Sequence, residues 1–222
     1  MVNISMLEKT QYFADIEKHS FDGFSDKTIL NQPTGDFFYD PWIIKDEYKG
    51  TMWEEILSTL PEQHGEARII VMEPGTTYMA HSDIDDRWHL NLQGKESYLI
   101  DLDNLDMHAL SRDGCWYIMD AGKKHVASNF GPVDRIQLVV RQLLNPTTEK
   151  NLVEVSIKPS AEKFDYRFQF DKHVSPWLNR INKQGLMKDF APDGSSVSFK
   201  IVESALEDLK LTSDFEITTS RV

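Results

Sequence analysis

The chain has 222 residues, which is the length of one large domain or of one domain with an appendage. Its 24 basic and 36 acidic side chains give a formal net charge of −12, which disfavours nucleic acid and membrane surfaces as partners. A hydrophobic fraction of 40% argues against wholesale disorder, and the single cysteine, Cys115, excludes an internal disulfide framework. No stretch resembles a signal peptide or a membrane span, so we expect a soluble, cytoplasmic protein.

The predicted elements fall into three stretches of different texture. Residues 1–50 are irregular. Residues 51–60 predict a helix, because Thr51 and Glu54 form a capping-box pattern and Pro61 ends the apolar periodicity. Short β-branched and aromatic segments then alternate with turn signals and predict eight strands. These strands lie near 67–73, 76–81, 87–92, 96–101, 107–111, 115–119, 125–130 and 135–143.

Eight short strands at this spacing favour an antiparallel barrel or jelly roll. After Pro146 the pattern changes, and residues 173–184 and 198–210 are predicted to be helical. We therefore divide the chain into a β domain with an irregular N-terminal segment, residues 1–146, and a helical or mixed extension, residues 147–222.

The segment His81-Ser82-Asp83 places two metal-binding side chains two residues apart at the end of a predicted strand. In an extended chain such residues point to the same face, so His81 and Asp83 can converge. His125 opens another predicted strand and is the candidate third ligand. Two imidazoles and one carboxylate on one face suit non-haem Fe(II) oxygenases, although His-x-Asp in a loop is also common as a solvated pair.

Arginine side chains on two predicted strands suggest an anion site. Arg135 opens the strand after His125, and a guanidinium in an apolar wall needs a carboxylate partner, which a bound dicarboxylate would supply. The alternatives are a structural salt bridge, for example to Asp134, or Arg141 as the anion ligand. On the earlier strand, alternation puts Arg87 and His89 on the face opposite Trp88, and that polar face lines either a pocket or solvent.

Three stretches together resemble a known family: ARIIVMEPGTTYMAHSD, RWHLNL and GCWYIMDAGKKHVASNFGPVDRIQLVV. They are similar to the iron- and 2-oxoglutarate-dependent dioxygenases of the aspartyl/asparaginyl β-hydroxylase superfamily, and most resemble the L-proline cis-4-hydroxylase type. The resemblance implies a mainly β fold, a double-stranded β-helix or cupin-like jelly roll with flanking helices. It covers roughly a third of the chain, and its specificity comes from the ordered combination.

The resemblance also implies roles for named residues. His81, Asp83 and His125 would bind Fe(II), and Arg135 would hold the distal carboxylate of the cosubstrate 2-oxoglutarate. Arg87 and His89 would help to hold 2-oxoglutarate or a substrate carboxylate. The activity implied is hydroxylation, with molecular oxygen, of an amino acid or of a residue in a peptide. No catalytic side chain beyond the metal ligands is expected.

Two further residues are weaker candidates for contact with substrate. Trp88 either lines the pocket or packs in the core, and Asn129 either faces the pocket or caps a turn before Gly131. Two alternative functions stay open at this point. One is a cupin-type metalloenzyme using another metal, and the other is a jelly roll that binds a ligand without catalysis. The oligomeric state does not follow from the sequence.

Overall fold

A computed structural model describes residues 5–21, 23–61, 63–160, 166–208 and 215–221. The described part is mainly β, and its strands pair antiparallel. The strands before the first helix are β1 (Leu7–Phe13), β2 (Thr28–Ile29), β3 (Asn31–Pro33) and β4 (Trp42–Ile44). A 3-10 turn (Asp46–Tyr48) and helix α1 (Met52–Leu57) follow.

Eight strands come next, in close agreement with the predicted segments. They are β5 (Ala67–Met72), β6 (Thr76–Thr77), β7 (Arg87–Gln93), β8 (Ser97–Asp101), β9 (Asp106–Ala109), β10 (Cys115–Met119), β11 (His125–Asn129) and β12 (Arg135–Arg141). The predicted strand at 76–81 is shorter than expected, because only an isolated bridge at His81 continues it. The predicted helix at 51–60 is confirmed over Met52–Leu57, and the Thr51 side chain accepts a hydrogen bond from the Trp53 amide.

The C-terminal elements are β13 (Leu152–Pro159), α2 (Tyr166–His173), α3 (Ser175–Lys183), β14 (Met187–Asp193), β15 (Ser196–Val202), a 3-10 turn (Glu203–Asp208) and β16 (Phe215–Arg221). The helix predicted at 173–184 is confirmed as α3. The helix predicted at 198–210 is wrong over the described residues, because β15 and the 3-10 turn occupy them. The extension is therefore mixed, and residues 209 and 210 lie outside the described part.

Two sheets lie face to face and build the β domain. The large sheet has the order β1-β10-β7-β12-β5-β2, and the small sheet has the order β6-β11-β8-β9. From β5 to β12 the chain alternates between the two sheets, except at the β8–β9 hairpin. Side chains from both sheets form a shared core that includes Met72, Met119, Leu99 and Ala127. The residues between the sheets are thus removed from water.

The large sheet has a second core on its outer face. Alternation sends Leu90 and Leu92 of β7 and Leu138 of β12 to this outer side, where α1 covers them with Trp53 and Ile56. The intervening residues of the same strands, Arg87 and His89 among them, consequently point toward the small sheet. The polar face of β7 is therefore buried between the sheets and is not a solvent face.

The C-terminal sheet has the order β14-β15-β13-β16 and packs against α2 and α3 around a separate core. Phe38, Tyr39 and Ile84 from the β domain also pack against this core. The segment that carries Asp83 is thereby tied to the C-terminal part at the next residue. In the described part, no helix combines the length and the apolar character needed to cross a bilayer.

Candidate metal centre

Backbone pairing brings His81 and His125 together. Each amide donates to the carbonyl of the other residue, at 3.0 Å and 2.9 Å, so the two residues lie directly opposite in an antiparallel bridge. Their rings lie 4.4 Å apart between centroids. Two residues further on, the Asp83 amide donates to the Ala121 carbonyl at 2.7 Å. The His-x-Asp spacing and one bridge therefore place three ligand side chains at one point.

The donor atoms of the three side chains face a common position. Asp83 Oδ2 lies 3.9 Å from the Nε2 atom of His81 and 3.9 Å from that of His125. One donor atom from each residue lies within 4.8 Å of the others. These three residues could hold a metal ion.

The Nδ1 atom of each imidazole lies within hydrogen-bond distance of a backbone carbonyl. His81 Nδ1 lies 2.9 Å from the Met79 carbonyl, and His125 Nδ1 lies 2.8 Å from the Lys123 carbonyl. A proton on Nδ1 satisfies these carbonyls and leaves the Nε2 lone pair facing Asp83. Metal-binding histidines show this same arrangement, in which a second hydrogen bond fixes the tautomer and the ring orientation. The bonding pattern of both rings thus suits metal coordination.

The electrostatics of the group favour the ligand forms of Asp83 and His125. Burial opposes ionisation of Asp83, but the charges of Arg87, His125 and His81 lower its pKa to about 2. Burial, together with the nearby His81, lowers the pKa of His125 to about 4. A carboxylate and a neutral imidazole are the states that bind a metal, so little proton competition is expected from these two residues at neutral pH.

Arg87 lies against the candidate metal ligand Asp83. Its Nη2 atom is 3.0 Å from Asp83 Oδ1 and 2.9 Å from Asp85 Oδ1. Burial by itself would lower the pKa of Arg87, but Asp83 and Asp85 raise it above the ordinary value. The structure therefore places Arg87 in an ion-pair network with acidic residues. A role in holding 2-oxoglutarate or a substrate carboxylate stays a prediction.

Arg135 is buried without an acidic partner among the described residues. It is 1% exposed, and its Nη1 donates to the weakly accepting sulfur of Met72 at 3.1 Å. Nη2 donates to Gln137 Oε1, and Nε has no partner in the described part of the chain. Burial lowers the pKa of Arg135 to about 10. The predicted alternative of a salt bridge to Asp134 or a neighbouring acid is therefore not found among these residues.

His89 connects the surroundings of Arg135 to the metal centre. Its Nδ1 lies 3.4 Å from the Gln137 oxygen that also accepts from Arg135. Burial, followed by the charge of Arg135, lowers its pKa to about 3, and His125 contributes in the same direction. Several buried polar atoms around it have no partner within the described ranges: Arg135 Nε, His89 Nε2, Gln137 Nε2, Asn91 Oδ1 and Ser97 Oγ. Buried polar atoms are normally satisfied, so this cluster indicates a place for a polar ligand.

The contacts of Trp88 and Asn129 distinguish between the alternatives given for these two candidates. Trp88 lies on the outer face of β7, packs against the first core and makes an edge contact with Tyr12. Asn129 donates to the carbonyls of Met72 and Val133 and accepts from the Gly131 amide. These contacts favour core packing for Trp88 and turn capping for Asn129, the two alternatives given for them above.

Sequence reasoning missed Asp85 and Gln137, and it considered Arg141 only as a rival anion ligand. Arg141 Nε donates to Asp85 Oδ2 at 2.6 Å, so it has an acidic partner where Arg135 has none among the residues described. Alternation along β12 already places Gln137 on the face of Arg135. The pairing of Asp85 with two arginines depends on the loop path and left no signal in the sequence.

Comparisons with protein-family models and with curated proteins find no match.

Proposed function

We propose that the protein is a non-haem Fe(II)- and 2-oxoglutarate-dependent oxygenase that hydroxylates a C–H bond of an amino acid or of an amino-acid residue in a peptide. The observation that carries the proposal is Arg135, a fully buried guanidinium with no carboxylate partner in the described part, on the face of β12 that points toward the small sheet, where β11 carries His125 of the His/Asp/His group. Burying an unpaired cation costs several kcal/mol, on the order of the penalties measured for broken ion pairs. A ligand with a carboxylate removes that cost.

The donor set supports iron as the metal. His81, Asp83 and His125 supply two imidazoles and one carboxylate from two adjacent chain segments. This combination, with the opposite positions open, is characteristic of Fe(II) oxygenases, whereas a structural zinc site is closed by four protein ligands. Among the described residues, no fourth histidine, cysteine or carboxylate side chain joins this group.

The buried positive charge of Arg135 supports 2-oxoglutarate as the cosubstrate. 2-Oxoglutarate carries a keto acid, which chelates a metal, and a second carboxylate, which requires a cation. Arg135 would bind that second carboxylate, with Gln137 and His89 close by to hold it in place. An arginine fork matches a carboxylate in bidentate geometry, so the pair would fix the orientation of the whole cosubstrate.

The strand order supports the same proposal. A jelly roll has eight strands in two facing sheets, and β5 to β12 are eight strands that alternate between the large and the small sheet, apart from the β8–β9 hairpin. We propose that these strands form a double-stranded β-helix of the cupin type. The metal centre then lies between the sheets at the start of β11, and the extension covers the loop that carries Asp83.

When bound, iron and 2-oxoglutarate would supply the oxidising chemistry with molecular oxygen. The protein's own residues would bind and orient these two groups. His81, Asp83 and His125 would hold the metal by one face, and Arg135 would orient the cosubstrate. The buried face of β7 would keep water away from the reacting groups. No side-chain acid or base is needed for this division of work.

The test is an anaerobic titration of metal-free protein with Fe(II) and 2-oxoglutarate. We expect the visible charge-transfer band of a keto acid chelated to iron. Asp83→Ala should abolish the band by removing a metal ligand. Arg135→Met should weaken 2-oxoglutarate binding about 30-fold or more, since truncating a buried charge partner costs about 2–5 kcal/mol.

The matched control is Arg112→Met, because Arg112 is an arginine of the β domain whose Nε donates to the Leu92 carbonyl. It should leave the band unchanged. Iron binding without the band would contradict the proposal and favour a cupin-type enzyme with another cofactor requirement. Absence of iron binding would favour a ligand-binding module without catalysis. If the band forms, screening of amino acids and peptides for stimulated succinate formation would identify the substrate.

A further inference from the structure

The two oxygens of the Asp83 carboxylate face different partners. Oδ2 is equidistant from the two imidazole Nε2 atoms, at 3.9 Å. Oδ1 lies 3.0 Å from Arg87 Nη2. A guanidinium on one oxygen fixes the rotation of the carboxylate and directs the other oxygen toward the imidazoles. The orientation of this ligand therefore depends on where Arg87 is held.

Arg87 is held by Asp85, which is almost fully buried. Asp85 Oδ1 lies 2.9 Å from the same Nη2 atom, and Asp85 Oδ2 accepts a hydrogen bond from Arg141 Nε at 2.6 Å. Arg141 and Arg87 are directly paired residues of β12 and β7. The Asp85 carboxylate, in the loop before β7, thus bridges two arginines that lie opposite each other on neighbouring strands.

Arg141 is itself fixed by aromatic contacts. Its guanidinium carbon lies 4.9 Å from the ring centroid of Phe37 and 5.0 Å from that of Phe38. Phe38 packs edge-on against Phe190 of the C-terminal core, with 5.0 Å between centroids. Arg141, at the end of the network away from Asp83, is therefore held in place through Phe38 by the C-terminal core.

We propose that Asp85 is a positioning residue for the metal centre. The series Asp83–Arg87–Asp85–Arg141 holds Asp83 Oδ2 toward the metal position. Asp85 shares Arg87 with Asp83 and so prevents the guanidinium from capturing both oxygens of the ligand. Without the Asp85 charge, Arg87 pairs with Asp83 alone and competes with the metal. This inference rests on the metal centre of the proposed function and is independent of 2-oxoglutarate.

The test measures Co(II) binding to the full chain by its visible d–d absorption. Asp85→Asn keeps the shape of the side chain and removes its charge. We expect a 10- to 100-fold weaker Co(II) affinity, the size found for partners that orient metal ligands, and a shifted band. The control is Asp113→Asn, which makes the same substitution in the Lys9–Asp113 ion pair of 2.7 Å, just before β10, whose other end pairs with Arg87 at Met119. It should retain the wild-type affinity and spectrum.

A double-variant cycle separates positioning from general damage. Because Asp85 acts through Arg87, adding Asp85→Asn to Arg87→Gln should cause no further loss of Co(II) affinity. Additive losses, or an equal loss in Asp113→Asn, would overturn the inference. Arg141→Gln, at the more exposed end, carries the same prediction as Asp85→Asn and replaces it if that variant does not fold.

The outcomes also distinguish this inference from the proposed function. Wild-type protein that binds no Co(II) would overturn both. Wild-type binding with an unchanged Asp85→Asn affinity would overturn the positioning role and leave the metal centre in place. If Arg87 instead served only a bound carboxylate, Arg87→Gln would weaken 2-oxoglutarate binding and leave the affinity for Co(II) unaltered, which would also overturn the positioning role.

Discussion

Two buried arginines on the same sheet face have opposite electrostatic surroundings. Arg87 lies between the carboxylates of Asp83 and Asp85, and its pKa is raised. Arg135 has amide and thioether contacts in the described part of the chain, and burial lowers its pKa to about 10. A protein gains nothing in stability from a buried cation that lacks a counter-charge. The difference supports the proposal that Arg87 belongs to the framework of the candidate metal centre and that Arg135 binds a ligand.

His89 gives a prediction for the pH dependence of stability. Burial and Arg135 lower its pKa to about 3, against about 6.5 in the unfolded chain. Below pH 6.5 the unfolded state therefore takes up a proton that the folded state refuses, so stability falls as the pH drops toward 3. In His89→Leu this contribution, about 1 kcal/mol per pH unit, should disappear from the urea-unfolding free energies of metal-free protein.

Asn91→Leu is the control for the His89 variant, because Asn91 is a non-titrating, buried residue on the same face of β7. Its effect on the free energy of unfolding should be the same at pH 7 and pH 5. Parallel pH profiles of the wild type and His89→Leu would show that His89 takes up its proton at the same pH in the folded and the unfolded protein, contrary to its buried position beside Arg135.

Two of the three candidate metal ligands could be paired from the sequence because their spacing is local. His81 and Asp83 share a face by spacing alone, and His125 opens a strand with strong β character. Asp85 could not be predicted, since its two arginine partners come from different strands and meet only in the folded sheet. Long-range ion pairs carry no periodic signal. The contacts of the Arg135 guanidinium, with which no acid pairs among the described residues, were likewise visible only in three dimensions.

At the scale of elements, the eight strands β5 to β12 were predicted from the sequence, whereas β1 to β4 and the C-terminal strands β13 to β16 were not. β1 is an edge strand with mostly exposed residues, and β2 to β4 have two or three residues each. The wrong helix prediction at 198–210 came from a stretch that joins the end of β15 to the following 3-10 turn. Apolar residues of β15 and of the following 3-10 turn together imitate helical spacing, although β15 itself buries every second residue.

Phe199 tests the strand assignment in β15. Its side chain is 1% exposed and contacts Trp177, with 5.8 Å between ring centroids. Phe199→Ala should lower the free energy of unfolding by about 3–5 kcal/mol, the usual cost of removing a buried aromatic ring. Ser198→Ala, on the opposite face of the strand, should stay within about 0.5 kcal/mol of the wild type in the same urea titration. Comparable losses in the two variants would contradict this alternation.

At the scale of the whole molecule, α3 connects the C-terminal part to the segments that carry the metal ligands. Asn179 donates to Asp86 Oδ1 at 3.1 Å, and the same oxygen accepts from the Ala121 amide. Lys183 lies 3.1 Å from Asp86 and 2.6 Å from Asp120. These contacts hold the segment after Asp83 against the segment before His125. The extension therefore contacts both segments that carry the candidate metal ligands.

Gly122 tests this connection, because it lies where α3 approaches the β domain closely. A methyl group at this position would come within 2.9 Å of Asn179 Cβ and closer still to its amide group. Gly122→Ala should therefore lower the free energy of unfolding by about 1–3 kcal/mol, the usual cost of overpacking. It should also weaken Co(II) binding, since the Ala121 carbonyl accepts the Asp83 amide. Combining it with Asn179→Ala should restore part of the loss, because most of the clash is removed. Wild-type stability and affinity in Gly122→Ala would mean that the two parts can separate here without disturbing the ligands, and the extension would then have no role in holding them.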